Sequence, residues 1–340
     1  MRYAGKERVV KAPQRLLILG VVAVGVVLIM PLIGIQILPL SVVASPRGTD
    51  PAALIFWQIR VPRVLAAFIG GAGLALGGAA FQAIFRNPLA TPYTLGVASG
   101  ASLGVALASR LGLSLTVMGL STNNLAAFAG ALLAVGVVWM LSRLRPDFSS
   151  TVLLLAGVAM NFFFSSLILF VQYTASLGDS FRLIRWLMGG LGAVDLNTVA
   201  HMLPVVLLGG VVVAWYAREL DLLATGPEIA ASRGVAVART RTVLFFATSV
   251  MVGGVVAACG PVGFVGMMAP HICRLIVGSN HRLLLPASVF FGGAFLAVCD
   301  TLARVVLAPA ELPVGVITSF LGAPFFLWLL VRRVGLTGTH

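Results

Sequence analysis

Ten apolar runs follow one another along this chain, and they decide what it can fold into before any single residue is weighed. They cover 16–40, 64–84, 93–108, 125–141, 152–171, 199–216, 243–258, 262–277, 283–305 and 314–331. A helix crosses a hydrocarbon core about 30 Å thick with about 20 apolar residues, and these runs reach or approach that length. Of 340 residues, 59% are hydrophobic and 10% charged, with a mean hydropathy of +1.06. A soluble domain of that composition would expose large apolar patches. The pattern predicts an all-α polytopic membrane protein of about ten transmembrane helices. No linker divides it, so residues 1–340 form one domain. The eighth run is short and holds Pro270, which predicts a tilted or re-entrant helix.

The net charge of +13 is read through topology rather than as a nucleic-acid surface. Under the positive-inside rule, a cytoplasmic N-terminus places Arg2, Lys6, Arg8, Lys11, Arg15, Arg86, Arg143, Arg145, Arg218, Arg233, Arg239, Arg241, Arg274, Arg282, Arg332 and Arg333 inside. Arg47, Arg60, Arg63, Arg110, Arg182, Arg185 and Arg304 fall outside. The bias predicts both termini in the cytoplasm and an even number of spans. The first run is longer than a signal peptide's apolar region of about 7–15 residues, so it reads as a retained span. Cys259, Cys273 and Cys299 lie in or beside apolar runs without metal-ligand spacing, as small core residues do.

Two glycine-rich helix starts, at 95–100 (LGVASG) and 260–266 (GPVGFVG), fall in the third and eighth runs, the positions that match in a five-plus-five inverted repeat. Gly73 and Gly77, then Gly96, Gly100 and Gly104, recur every four residues and predict close helix approach.

Polar chemistry is sparse. Asp300 is the one acid well inside a run, and Arg304 stands four residues on, on the same helical face. Ion-driven carriers place ionisable groups near the midplane, so this scarcity argues against one. His201, His271, His281 and His340 are scattered, so neither a catalytic constellation nor a metal or cofactor site is expected; His271, beside Pro270, reads as structural rather than as an iron ligand. The segment 85–92 (FRNPLATP) reads as a rigid inner turn. Arg60 and Arg63 bracket Val61 and Pro62 at a helix start, with both guanidinium groups expected to face water. They serve either as membrane anchors or as receivers of carboxylates from a soluble partner. The polar stretch 218–241 (RELDLLATGPEIAASRGVAVARTR) interrupts the apolar chain and reads as a docking surface for a cytosolic protein.

These residues together resemble a known family, the permease subunits of ABC importers for iron-siderophores, haem and cobalamin. The resemblance covers nearly the whole chain. It rests on RVPR at 60–63, GGAAFQAIFRNPLA at 77–90, LGVASG at 95–100, LLLAGV at 153–158, WLMGG at 186–190, GPVGFVGMMAPHICR at 260–274, HRLLLP at 281–286 and ELPVGVITSFLGAP at 311–324. It implies a ten-helix permease that does no chemistry itself, embedded in the lipid of a bacterial inner membrane. A homodimer is implied, with the fifth and tenth spans lining the path. Two copies of a cytosolic ATP-hydrolysing subunit would dock beneath it, and a periplasmic or lipid-anchored binding protein would deliver the cargo.

Residue by residue, the resemblance places the ATPase-coupling helices at 226–234, where Gly226, Glu228, Ala231, Arg233 and Gly234 match best. Arg60, Arg63 and Arg304 fall where the family pairs outer arginines with glutamates of the binding protein. Ser150 and Thr151 match the cytoplasmic gate, though both residue types also suit a plain helix cap. The outer segment 179–185 (DSFRLIR) carries two arginines, which suit either an anionic chelate or lipid headgroups. The quoted motifs do not separate one cargo from another. An ion-gradient-driven carrier working without an ATPase is the alternative reading, and a purely structural scaffold would not need polar turns and proline breaks at these places.

Overall fold

The structure, a computed structural model, describes residues 3–44, 46, 50–143, 150–192 and 194–337. Helix α1 (Tyr3–Ile29) ends in a tight turn at Met30–Leu32. Then come α2 (Pro51–Leu54), a π-wound stretch Ile55–Arg60 and α3 (Val61–Phe85), which run on as one rod. A turn at Pro92–Leu95 leads into α4 (Val97–Arg110). A small hairpin follows, β1 (Thr116–Val117) against β2 (Leu120–Ser121), antiparallel with Thr116 opposite Ser121. The chain continues through α5 (Thr122–Arg143), α6 (Ser150–Tyr173), α7 (Leu177–Leu187), α8 (Leu196–Trp215), α9 (Ala217–Thr225), α10 (Pro227–Ser232), α11 (Val237–Cys259), α12 (Val265–Val277), α13 (His281–Val305) and α14 (Val314–Thr337). The protein is an all-α polytopic membrane protein. Among the described residues, seven helices are long and apolar enough to cross a bilayer.

Helix α3 is the axis of the bundle. Its most apolar stretch is 83% buried inside the protein, against 11% for α1, because α8, α11, α12 and α13 all pack on it. A helix apolar on every side belongs in such a place. The packing crosses over between the two halves of the chain: α3 lies against α12 and α13, while α11 lies against α4 and α5.

Glycine makes these approaches possible. A Cβ at Gly104 would stand 2.1 Å from the Ala126 carbonyl oxygen, and one at Gly100 2.5 Å from that of Gly130. The predicted glycine face of α4 therefore meets α5 backbone to backbone. A Cβ at Gly77 would stand 2.8 Å from Val252 Cγ2. The three cysteines are buried free thiols, as expected.

Three boundaries differ from the sequence reading. The first helix stops at Ile29 rather than near residue 40, since Pro31 cannot donate to the turn before it. The third run starts in a tight turn, and Gly96, at φ +86°, breaks it from α4. Helix α4 has 14 residues, about 21 Å of rise. The eighth run also begins unwound: Phe264 takes φ +67° ahead of α12, a conformation costly for a bulky residue, and its ring lies where any side chain at Gly322 would go. Helix α12 then runs through Pro270 for 13 residues. The segment 179–185 lies in α7, a short amphipathic helix capped by Ser176.

Candidate functional site

Two polar regions stand at opposite ends of the bundle. At one end α9 and α10 form a bent pair. Leu220 and Leu223 are fully buried and fasten α9 to the bundle. Gly226, at φ +149° and ψ +147°, is the joint, and Pro227 opens α10 at a position where its missing N–H is not needed. Helix α10 closes in a Schellman motif, with Val235 N–H donating to the Ala230 carbonyl at 3.0 Å and Gly234 N–H to that of Ala231 at 2.9 Å. Gly234 takes φ +82° there, as the motif requires. Glu228, Ala231, Arg233 and Gly234 are exposed, whereas Gly226 and Ala230 are buried. Ile229 is also exposed, at 47%. The sequence reading passed it over, although one branched apolar residue in a six-residue polar helix was the signal.

At the other end the structure brings Arg60, Arg63 and Arg304 together, with Arg304 in the field of the other two. All three are buried, which corrects the expectation that Arg60 and Arg63 face water. Arg60 turns back and donates to the carbonyls of Pro31 and Leu32, both at 3.3 Å, and of Gln36 at 2.8 Å. It neutralises the carbonyl end where α1 finishes. Arg63 Nε lies 3.0 Å from both Asp300 oxygens, and Nη1 lies 2.9 Å from Glu311 Oε2. The predicted Asp300 to Arg304 pair is present at 3.4 Å, and Arg304 also donates to Thr301 Oγ1 at 3.0 Å. The carboxylate of Asp300 is wholly buried, and Glu311 stands at the solvent edge, its side chain 37% exposed.

This cluster borders a cavity of about 650 Å³ whose walls include Arg63, Arg185, Trp186, Asn124, Asp195 and Glu311. One of its acids, Asp195, caps α8. Asp195 accepts from the Thr198 hydroxyl at 2.6 Å and from the Thr198 N–H at 2.8 Å, which holds its carboxyl below the usual carboxylate range. Near the cavity, Asp179 is held low first by the Ser176 hydroxyl and then by Arg182. The other arginine of this segment, Arg185, is exposed and lines the cavity.

Between the two ends, the unwound starts of α4 and α12 meet: Val262 N–H donates to the Tyr93 hydroxyl at 2.7 Å. Asn161 of α6 donates to the Tyr93 and Thr94 carbonyls at 3.3 and 3.4 Å and accepts from the Ser99 hydroxyl at 2.7 Å. His271 is buried and packs near the rings of Phe325 and Phe326. Ser150 and Thr151 stand in the first turn of α6, and their side chains lie outside the described residues.

The sequence profile of the FecCD transport family matches residues 16–332. An uncharacterized ABC transporter permease protein of Bacillus subtilis, YvrB, is 41% identical over 281 residues, 82% of this chain and 79% of that protein. The vitamin B12 import system permease protein BtuC of Escherichia coli O139:H28 is 41% identical over 294 residues, 85% of this chain and 86% of its own length. A solved structure described as a metal-chelate type ABC transporter in an inward-facing conformation superposes with a TM-score of 0.83 at 30% identity, covering 94% of this chain and 99% of that one. With nearly the whole sequence and the whole bundle matched, the chain belongs to the FecCD transport family and is a permease of the ABC importer type.

Proposed function

We propose that the chain is the membrane pathway of a binding-protein-dependent importer that moves a metal chelate, an iron-siderophore, haem or cobalamin, across a bacterial inner membrane. It crosses ten times with both termini in the cytoplasm, the short helices α4 and α12 and the last helix α14 completing the set. Its halves are inverted five-helix repeats, a reading supported by the crossed packing of α3 and α11. It works as a homodimer, carries no catalytic group, and takes its energy from two cytosolic ATPase subunits.

The observation that carries this is the bent pair α9 and α10, anchored by buried leucines and presenting Glu228, Ile229, Ala231, Arg233 and Gly234 to solvent. A polar helix held proud of an apolar bundle suits insertion into a cleft of a soluble ATPase. At the opposite end, Arg60, Arg63 and Arg304 are the docking cations for the binding protein. Arg63 carries the direct contact, because its internal partner Glu311 sits at the solvent edge and an incoming carboxylate can replace it. The gate at Ser150 and Thr151 closes the cytoplasmic side between two copies.

Deleting 226–234, or replacing Glu228 with Arg, leaves the bundle folded and lowers ATPase capture by roughly tenfold or more, as loss of an interface hot spot does. Co-purification of the ATPase with the detergent-solubilised variant, beside its thermal melting curve, checks this. Full capture by a correctly folded deletion variant would show that the ATPase docks elsewhere.

A further inference from the structure

Asp221 belongs to α9, ahead of the exposed docking residues, and its side chain reaches α13. Its Oδ1 accepts the His281 backbone N–H at 2.9 Å and lies 2.6 Å from His281 Nδ1. A carboxylate only accepts, so Nδ1 is the nitrogen that bears the proton. His281 is the first residue of α13, and the next free amide, that of Arg282, is taken by the Asn280 side chain at 2.9 Å. Asp221 therefore closes the N-terminus of a helix in another part of the chain, where a negative charge is favoured by the helix dipole. The His281 ring is buried, and its Nε2 meets no polar partner among the described residues. The contact with Asp221 is the polar tether that fixes this ring.

Helix α13 is not an ordinary neighbour. It lies backbone to backbone on α3: a Cβ at Gly71 would stand 2.2 Å from the Gly292 carbonyl oxygen, and one at Gly292 2.7 Å from that of Gly71. At its far end Asp300 is bonded to Arg63 of α3, and Arg63 also holds Glu311 of the following loop. Helices α3 and α13 thus form one stiff pair, joined by glycine contact in the middle and by buried ions at one end. Helix α9 packs on both members, and Asp221 to His281 is its polar bond to α13.

We propose that Asp221 and His281 are the positioning residues through which displacement of α9 and α10 is passed to the α3 and α13 pair, and so to Arg63 and Glu311 at the opposite face. The proposal rests on the importer reading above. The two residues act on α13, not on cargo or nucleotide, and lie outside the docking surface itself.

The test uses the complete importer in proteoliposomes. Radiolabelled cyanocobalamin, haem and a ferric siderophore are first offered to the wild type, and the one taken up is the probe. In Asp221→Ala and His281→Ala the cargo moved per ATP hydrolysed falls roughly tenfold, within the range a single coupling contact commands. ATPase capture and binding-protein affinity stay at the wild-type level. Asp221→Asn retains the acceptor oxygen and restores the ratio, and the double alanine variant loses no more than Asp221→Ala alone, because that change already removes both the bond to the His281 ring and the bond to its backbone N–H. Should Asp221→Ala fail to fold, Asp221→Ser, too short to reach His281, takes its place. An unchanged transport ratio, a loss that multiplies in the double variant, or release of the ATPase would each overturn the proposal. A wild type that moves none of the three probes with ATP would instead overturn the importer reading on which it rests.

Discussion

Asp300→Ala is expected to cost the fold about 3–5 kcal/mol, the usual penalty for removing one partner from a buried ionic cluster. Asp300 is fully buried and is the common counter-ion of Arg63 and Arg304. Without it, two guanidinium groups remain in an apolar bundle, and Glu311, in contact with Arg63, is left as the anion of the cluster. In the wild type Asp300 and Glu311 offset Arg63 and Arg304, while Arg60 is held by backbone carbonyls, so the penalty comes from the imbalance rather than from any great strength of the pairs. It follows that Glu311→Gln, at the solvent edge, should cost about 1 kcal/mol or less. Thermal unfolding of the detergent-solubilised variants separates the two. Equal destabilisation by both would show that the buried carboxylate does not organise this end of the bundle.

Gly78→Leu should leave little folded protein. A Cβ at Gly78 would lie 1.6 Å from the Gly266 carbonyl oxygen and 2.5 Å from its carbon. The obstacle is backbone, so no rotamer change relieves it, and α3 must separate from α12. The cause sits four residues further on: Pro270 has no N–H to give back to the Gly266 carbonyl, so that oxygen is left facing Gly78. The contact puts a weak Cα–H donor against an oxygen the helix cannot satisfy. Overpacking a core typically costs about 1–3 kcal/mol, and a backbone collision at the bundle axis exceeds that range. Gly136 is the control, since a Cβ there meets nothing within 4 Å; Gly136→Ala should be neutral or stabilise by up to about 1 kcal/mol. Yield of monodisperse protein on size exclusion reads both. A folded Gly78→Leu variant would mean that α3 and α12 do not meet as described.

Much of this was legible before any coordinates. Asp300 and Arg304 stand four residues apart on an apolar helix, so their pairing follows from helical geometry. The glycine spacing at Gly96, Gly100 and Gly104 announced close approach. What it could not announce was the partner, because the carbonyls of Ala126 and Gly130 belong to a different helix. The same holds for the ions. Arg63 and Asp300 are separated by 237 positions and Asp221 and His281 by 60, and nothing local in either segment names the other. Arg60 misled for a related reason. An arginine at a helix start normally reaches water, yet here the carbonyls at the end of α1 stand within reach and take its donors. Helix α7 was hidden because its polarity resembled a loop, although Ser176 and Asp179 already had the spacing of a cap. Phe264 gave no sign of its left-handed backbone, which tertiary packing enforces.

Uptake under clamped gradients separates a passive path driven by a soluble ATPase from an ion-coupled carrier. The permease is reconstituted with its ATPase and binding protein in liposomes containing ionophores that abolish proton and sodium gradients, and accumulation of the labelled chelate is followed with and without ATP at the ATPase face. Accumulation is expected to require ATP, the ATPase and the binding protein together and to be indifferent to the ionophores. Uptake by the permease alone that follows an imposed ion gradient would contradict it.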